Sequence, residues 1–548
     1  MGFFGRNSRK VASELSENKQ VVRGKKFVFE AGGSGAMAGV TLMQLVEALK
    51  MFQGESVVQL NSIFETMDQG GEVIEQLDEL CAMEEIWGSK SITHQTLKLA
   101  DRIKSELNVT GKFSLKTLYP DWEEDMPFLA KETAKLNLSR GFYQQMSLGA
   151  YLLPTMLECA LKTEEDKNCG YGAVAESVRS AVDGSDVQVA FMGSLFGGEG
   201  RTILSGMPAR LFDYCARVYA EDKDLDPERA KEEVRSRLKI AEAQLGGCYK
   251  YPHASGLRDD VSDLTAGALR NFPENTEDVL YRIYYFDSRG ETCPVQSEKA
   301  EKGAQQRNHH HEVELLMAAA VLDFFNTDAK EGYPGKKDKI RIPSYSVPNN
   351  NTGEKTTWEE LALPEGYKEA LLTRLRFDAA LLLAIKPQVC PDGNTVGTDQ
   401  YQNLSLIGKL YNATGAKLRD MINRGKINVN EITETVNRAA ELIKREERFI
   451  DWFYDIAVSG KDWDKHPDRG NAADSSGLVN VRELWRLKNV DSEPMTYQLD
   501  RLTDIPQGNP AHTGKAVYKV MDDVKFRRGG KPRDIGEIFK DIYDNCRY

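Results

Sequence analysis

An α/β protein with a parallel, Rossmann-like sheet is the fold this sequence predicts, and three observations predict it. Two apolar runs, Phe27 to Phe29 and Val187 to Met192, each break on glycines and resume as a helix. A third short run, Val57 to Leu60, follows the first of those helices. Strand, loop, helix and strand in that order form the unit from which parallel sheets are built.

The elements follow in order. Residues 1–24 read as a mobile arm. MGFFGRNSRK is too poor in apolar residues for a secretory signal, and Arg6 stands where a myristoylation pattern needs Ser or Thr. The glycines at 32, 33 and 35 read as a loop, and Val40 to Lys50 has apolar residues at helical spacing. Residues 72–180 read as a long, mostly helical insertion. Val187 to Met192 is the next buried strand, with a helix from about Thr202. Residues 226–245 read as a charged amphipathic helix. Val279 to Phe286, rich in aromatic and branched residues, reads as a strand. NHHHEVELLMAAAVLDFF reads as a long buried helix. The Pro-, Gly-, Asn- and Lys-rich stretch 332–357 predicts a domain boundary. It closes an N-terminal nucleotide domain, 25–331, and leaves a mainly helical C-terminal region, 358–548.

Composition narrows the function classes. With 548 residues and 41% hydrophobic content, the chain has material for several cores. A net charge of −12 argues against non-specific binding to nucleic acid or to an anionic membrane. KFRRGGKPR, 525–533, reads as a solvated charged loop. Eight cysteines without a CxxC pair predict a reduced, cytoplasmic protein without structural zinc. No apolar run approaches the ~18 residues of a spanning helix.

The chemistry lies in the glycines. A glycine loop at a helix N-terminus offers unpaired N–H groups and the positive end of a dipole, which suits phosphate. The same glycines also serve tight turns. A dinucleotide fingerprint needs GxGxxG and an acid about 20 residues on. Gly33-x-Gly35 is present, the third glycine falls one position late at Gly39, and Leu60-Asn61-Ser62 carries no acid. The pattern GxxxxGK[ST] is absent from both junctions.

These junctions resemble the tubulin/FtsZ family of GTPases. Gly32, Gly33, Ser34 and Gly35 match that family's first loop, and Asn61 matches the polar end of its second strand. Gly193, Ser194, Gly197, Gly198, Gly200 and Thr202 match its glycine-rich signature loop, with Phe196 in place of a glycine and Glu199 in place of a threonine. Asn308, opening the long apolar helix, matches the residue presented to the base. Asp328 and Glu331 match the loop that orients water against the γ-phosphate of the next subunit, although Gly332, Pro334 and Gly335 follow where the family continues into a helix. The resemblance implies GTP or GDP with Mg²⁺, head-to-tail self-association, and GTP hydrolysis across a subunit contact. It also implies a bacterial conflict or plasmid setting, such as antiviral defence, with protein partners in an operon-encoded complex. Two alternatives stay open: an NAD(P)-binding Rossmann oxidoreductase, and a structural or interaction protein that kept the fold without catalysis.

Other constellations read as structure. His309, His310 and His311 lack the HExxH pattern and read as a polar helix start. Asp323 reads as a solvated or paired carboxylate, and Asp121 and Glu123 as acidic loop material. Ser194 departs from GxSxG at its last position, so a hydrolase elbow is not expected.

Overall fold

The computed structural model describes residues 25–51, 60–66, most of 92–138, most of 170–246, 279–286, 310 and 312–326, most of 363–458, and 534–546, with a few isolated positions besides. Among them, six strands form one all-parallel sheet. They are β1 (Lys25–Ala31), β2 (Leu60–Thr66), β3 (Ile92–Lys98), β4 (Val187–Ser194), β5 (Leu238–Leu245) and β6 (Leu280–Phe286). The order across the sheet is β3-β2-β1-β4-β5-β6.

Helix α1 (Gly32–Lys50) connects β1 to β2 over one face of the sheet. The chain from β4 to β5 runs over the opposite face through α4 (Gly198–Lys223) and α5 (Pro227–Arg237). Helices α2 (Leu99–Glu106) and α3 (Gly170–Ser180) come between β3 and β4. The strand order reverses between β1 and β4, which pair along their whole length from Lys25↔Val187 to Ala31↔Gly193. Open α/β sheets bind ligands in the crevice beyond the carboxyl ends of strands at such a switch point.

Helix α1 is apolar nearly all round, and from Ala36 to Ala48 every residue is buried. A helix of that kind needs cover on both sides. The sheet supplies one side. Helices α6 (Glu312–Asn326), α7 (Tyr367–Ala380) and α10 (Val429–Val458) join the same core from the other. Helices α8 (Ser405–Tyr411), α9 (Gly415–Asn423) and α11 (Ile535–Cys546) extend that layer. Polar ties reinforce the apolar contact. Trp452 Nε1 donates to Thr41 Oγ1 at 2.9 Å. Arg374, buried under the Phe449 ring, donates to Glu47 at 3.1 Å and to Glu446 at 3.3 Å.

Helix α6 has its direction set by two side chains at the amino edge of the sheet. Lys26 Nζ donates to the Phe325 carbonyl at 2.7 Å, and Gln188 Nε2 to the Phe324 carbonyl at 2.9 Å. These bonds satisfy carbonyls that the end of a helix leaves unpaired. Lys26 and Gln188 are register partners on adjacent strands, so the C-terminal end of α6 lies at the amino edge. Fifteen helical residues rise about 22 Å, close to the length of a seven-residue strand. The first turn of α6 therefore comes up at the carboxyl edge.

Several expected boundaries shift. The glycines at 32, 33 and 35 are already helical, so α1 begins eight residues before Val40. Helix α4 likewise starts at Gly198. The second strand is Leu60–Thr66, and Val57 lies outside the described residues. The helix expected over 226–245 ends at Arg237, and Leu238–Leu245 is a central strand. The mostly helical insertion holds strand β3 among its described residues. Both missed strands carry polar side chains that tertiary partners accommodate. Lys239 lies over the Tyr281 ring at 4.4 Å, Gln244 bonds Glu242, and His94 bonds Ser62. The segment 332–357 lies outside the described residues.

Candidate functional site

The two strand–helix junctions meet at the switch point. Neither helix has a side-chain cap: α1 starts after Ala31, and α4 after Gly197 in an extended conformation. Each N-terminus leaves backbone N–H groups without intrahelical partners and carries about half a positive charge. The two ends touch, since a Cβ built on Gly32 would lie 3.3 Å from the Gly200 nitrogen.

Each glycine has its own reason. Gly32 has φ +66°, a left-handed conformation that a side chain rarely adopts. Gly35 allows α1 to cross β4, because a Cβ there would lie 2.3 Å from the Met192 carbonyl oxygen. Gly200 does the same for α4 against Ser194, and Gly193 lies against Ala31. Gly39, the late third glycine of the sequence pattern, admits the buried Glu30 carboxyl, whose Oε1 would lie 2.8 Å from a Cβ there. Gly33 is different. It is exposed, its φ is ordinary, and among the described residues nothing stands within 4 Å of the place its Cβ would take. Packing gives no reason for a glycine at this position.

The loop between β4 and α4 is pinned from both sides. Leu195 enters the core under α4 and Phe196 enters the core under α1. This accounts for a large residue where the signature loop has glycine: Phe196 anchors the loop on the opposite face from Leu195. Below it, Ser194 ends β4 at 4% exposure, and its hydroxyl makes no hydrogen bond among the described residues. Gly197 leaves room for that hydroxyl, which would lie 2.8 Å from a Cβ there. The hydroxyl lies next to the first turn of α4, where Gly197 precedes the helix. Ser34, half-exposed in the first turn of α1, also has a hydroxyl without a partner among the described residues.

The other sequence-predicted residues fall elsewhere. Thr202 is buried, and its hydroxyl donates to the Gly198 carbonyl at 2.6 Å, inside its own helix. Asn61 is corrected outright. The shifted strand boundary pairs it with Phe27, and its amide donates to the Lys26 carbonyl at 3.1 Å while accepting from Thr93. It lies near the amino edge, five residues before the end of β2, or roughly 16 Å from the glycines. The position it was expected to hold belongs to Glu65, the register partner of Ala31. Gly198 is buried in the first turn of α4. Asn308, Asp328 and Glu331 lie outside the described residues.

Two further features join the edge. Glu199, half-exposed in the first turn of α4, places its Cβ and Cγ 3.5 and 3.8 Å from the built Gly32 Cβ, between the two helix ends. His310, just before α6, is buried with Nδ1 2.7 Å from the Glu314 carboxylate. The run of histidines before an apolar helix was the available signal for this pair, but sequence alone could not place it at the glycine edge. Asp323 is paired, accepting from Tyr284 at 2.9 Å and Arg282 at 3.2 Å. Among the described residues no three acidic, histidine or cysteine side chains converge as a metal site. No described helix is long and apolar enough to cross a membrane.

No protein-family model and no curated protein matches this sequence.

Proposed function

We propose that this chain binds a guanine nucleotide, GTP or GDP, with its phosphates on the paired N-termini of α1 and α4, in the manner of a tubulin/FtsZ-like protein. The observation that carries the reading is the meeting of two helix N-termini without side-chain caps at the switch point of the sheet, beside Ser194 at the end of β4. Phosphate is the ligand such a site suits, since it accepts several N–H bonds at once and carries the matching charge. The order of the motifs along the chain supplies the preference for guanine. Mg²⁺ fits as a companion of the phosphates, because the described residues offer single carboxylates here and no cage of their own.

Head-to-tail assembly follows from the same reading. Helix α6 ends at the amino edge, opposite the glycines, and Asp328 is only two residues beyond Asn326. Two residues span at most about 7 Å, too little to return to the glycine edge of the same subunit. Asp328 would therefore serve a neighbour's nucleotide. One observation favours the second reading, an NAD(P)-binding oxidoreductase. Glu65 occupies the register position at the end of β2 where a dinucleotide fold places its ribose acid.

Calorimetry with GDP, GTP and NADH separates the two. NADH affinity without guanine-nucleotide affinity would overturn the proposal. For turnover, phosphate release should rise steeply with protein concentration, and Asp328→Ala should lower it by orders of magnitude with nucleotide affinity nearly intact. A flat rate indifferent to that substitution would leave a nucleotide-holding scaffold.

A further inference from the structure

Helix α6 is held at its C-terminal end by more than packing requires. From Val313 to Phe325 every residue is buried except the half-buried Asp323. Apolar burial is non-directional, so it holds the helix against the sheet and α1 but sets its position along its own axis only loosely. Two directional bonds set that position. Lys26 Nζ donates to the Phe325 carbonyl at 2.7 Å, and Gln188 Nε2 to the Phe324 carbonyl at 2.9 Å. The donors stand on paired strands and take two successive carbonyls, which fixes both the height and the rotation of the helix end. Gln188 shows that a neutral amide suffices for a carbonyl. Lys26 instead places an ammonium at 2% exposure, over the Phe325 ring at 5.4 Å, and burial lowers it from the usual value to about 8. Its one hydrogen-bond acceptor among the described residues is the Phe325 carbonyl. The charge therefore faces the negative end of α6 and strengthens a single bond. The next residue, Asn326, is exposed, so the chain leaves the core at this tie.

Resting on the assembly reading above, we propose that Lys26 is a positioning residue for hydrolysis across the subunit contact: its bond to Phe325 fixes the point from which the chain runs on to Asp328. A carboxylate that orients water acts only from its correct place, and a displacement of ~1 Å lowers a rate by about 100-fold. Lys26 itself touches neither nucleotide nor water. It stands on β1 five residues before Ala31, roughly 17 Å from the glycine junctions, so rate and nucleotide affinity read different ends of the sheet.

The test is phosphate release from GTP by the full chain, as a protein-concentration series at pH 7, where an ammonium titrating at about 8 is charged. GDP calorimetry and thermal melting accompany each variant. Lys26→Met removes the ammonium and keeps the stem. It should lower release by ~10- to 100-fold, with GDP affinity within about 2-fold of wild type. Lys26→Arg keeps a donor and a charge and should recover most of the rate. Groups that act as one unit are non-additive, so adding Lys26→Met to Asp328→Ala should lower the rate no further. Three results overturn the proposal: a folded Lys26→Met that turns over like wild type, a GDP affinity that falls in parallel with the rate, or the same fractional loss from Lys26→Met in both backgrounds, which marks a merely structural role. Should Lys26→Met melt below the assay temperature, Gln188→Met takes its place, since it removes the bond to Phe324 without disturbing the buried charge. A folded Gln188→Met with undiminished turnover then overturns the proposal. A wild-type rate that stays flat with protein concentration overturns the assembly reading itself, and the role of Lys26 with it.

Discussion

Gly33 separates folding from ligand binding at this site, and Gly33→Leu exploits the separation. The position is exposed, its φ is ordinary, and a Cβ there meets nothing within 4 Å among the described residues. Replacing a glycine inside a helix removes a conformational cost of roughly 0.5–1 kcal/mol, so the variant should be as stable as wild type or slightly more so. Binding should respond in the opposite direction. A leucine side chain over the first turn of α1 covers N–H groups that would face the phosphates. Hydrogen bonds to a charged partner contribute about 1.5–3 kcal/mol each, so the loss of one or two lowers affinity by roughly two orders of magnitude. Gly33→Ala should fall between wild type and leucine. Gly35→Ala supplies the contrast, because its Cβ would lie 2.3 Å from the Met192 carbonyl oxygen and must push β4 aside. That variant should lose stability by about 1–3 kcal/mol, as overpacked positions do. Denaturant unfolding and GDP calorimetry on the three variants give both axes. A Gly33→Leu protein that folds normally and binds GDP like wild type would falsify the placement of the phosphates on α1.

Two buried groups give pH-dependent expectations. Burial raises Glu242 from 4.5 to about 8, so the folded protein holds a proton that the unfolded chain releases. The associated stability is complete below pH 4.5 and is lost as pH rises through 8, about 5 kcal/mol over the window. Glu242→Gln should therefore gain on wild type steadily from pH 4 to 9 in denaturant unfolding, and a constant difference would mean that the carboxyl is not held neutral. His94, linked through Ser62 to Glu30, shows the opposite behaviour: burial lowers it from 6.5 to about 4. Its contribution is complete above pH 6.5 and is lost as pH falls to 4, about 3 kcal/mol in all, and His94→Gln should flatten that limb of the stability profile.

The parts of the fold whose signals are local were legible in the sequence. Strands β1, β4 and β6 are largely apolar or aromatic runs, and a predominantly apolar α1 already implies cover on two sides. The two glycine clusters mark the junctions because φ +66° at Gly32 favours glycine and the backbone contacts of Gly35 and Gly200 leave no room for a Cβ. Strands β3 and β5 were not legible. Their His94, Lys239, Glu242 and Gln244 are polar, and each is tolerated in the sheet only through partners or burial that the fold supplies. Asn61 shows how a small boundary error becomes a large functional one. A strand read as ending near residue 60 starts there, and each residue of slip along a strand moves a side chain about 3.3 Å and turns it to the other face. Tertiary packing sets the two glycine clusters, some 160 residues apart, against each other across β1 and β4. It alone brought Glu199 against Gly32, placed Ser194 beside Gly197, and directed α6 so that His310 stands toward the carboxyl edge. These are relations between elements. They depend on strand order and helix direction, which are set by packing and by bonds such as Lys26 to Phe325, between residues far apart in the chain.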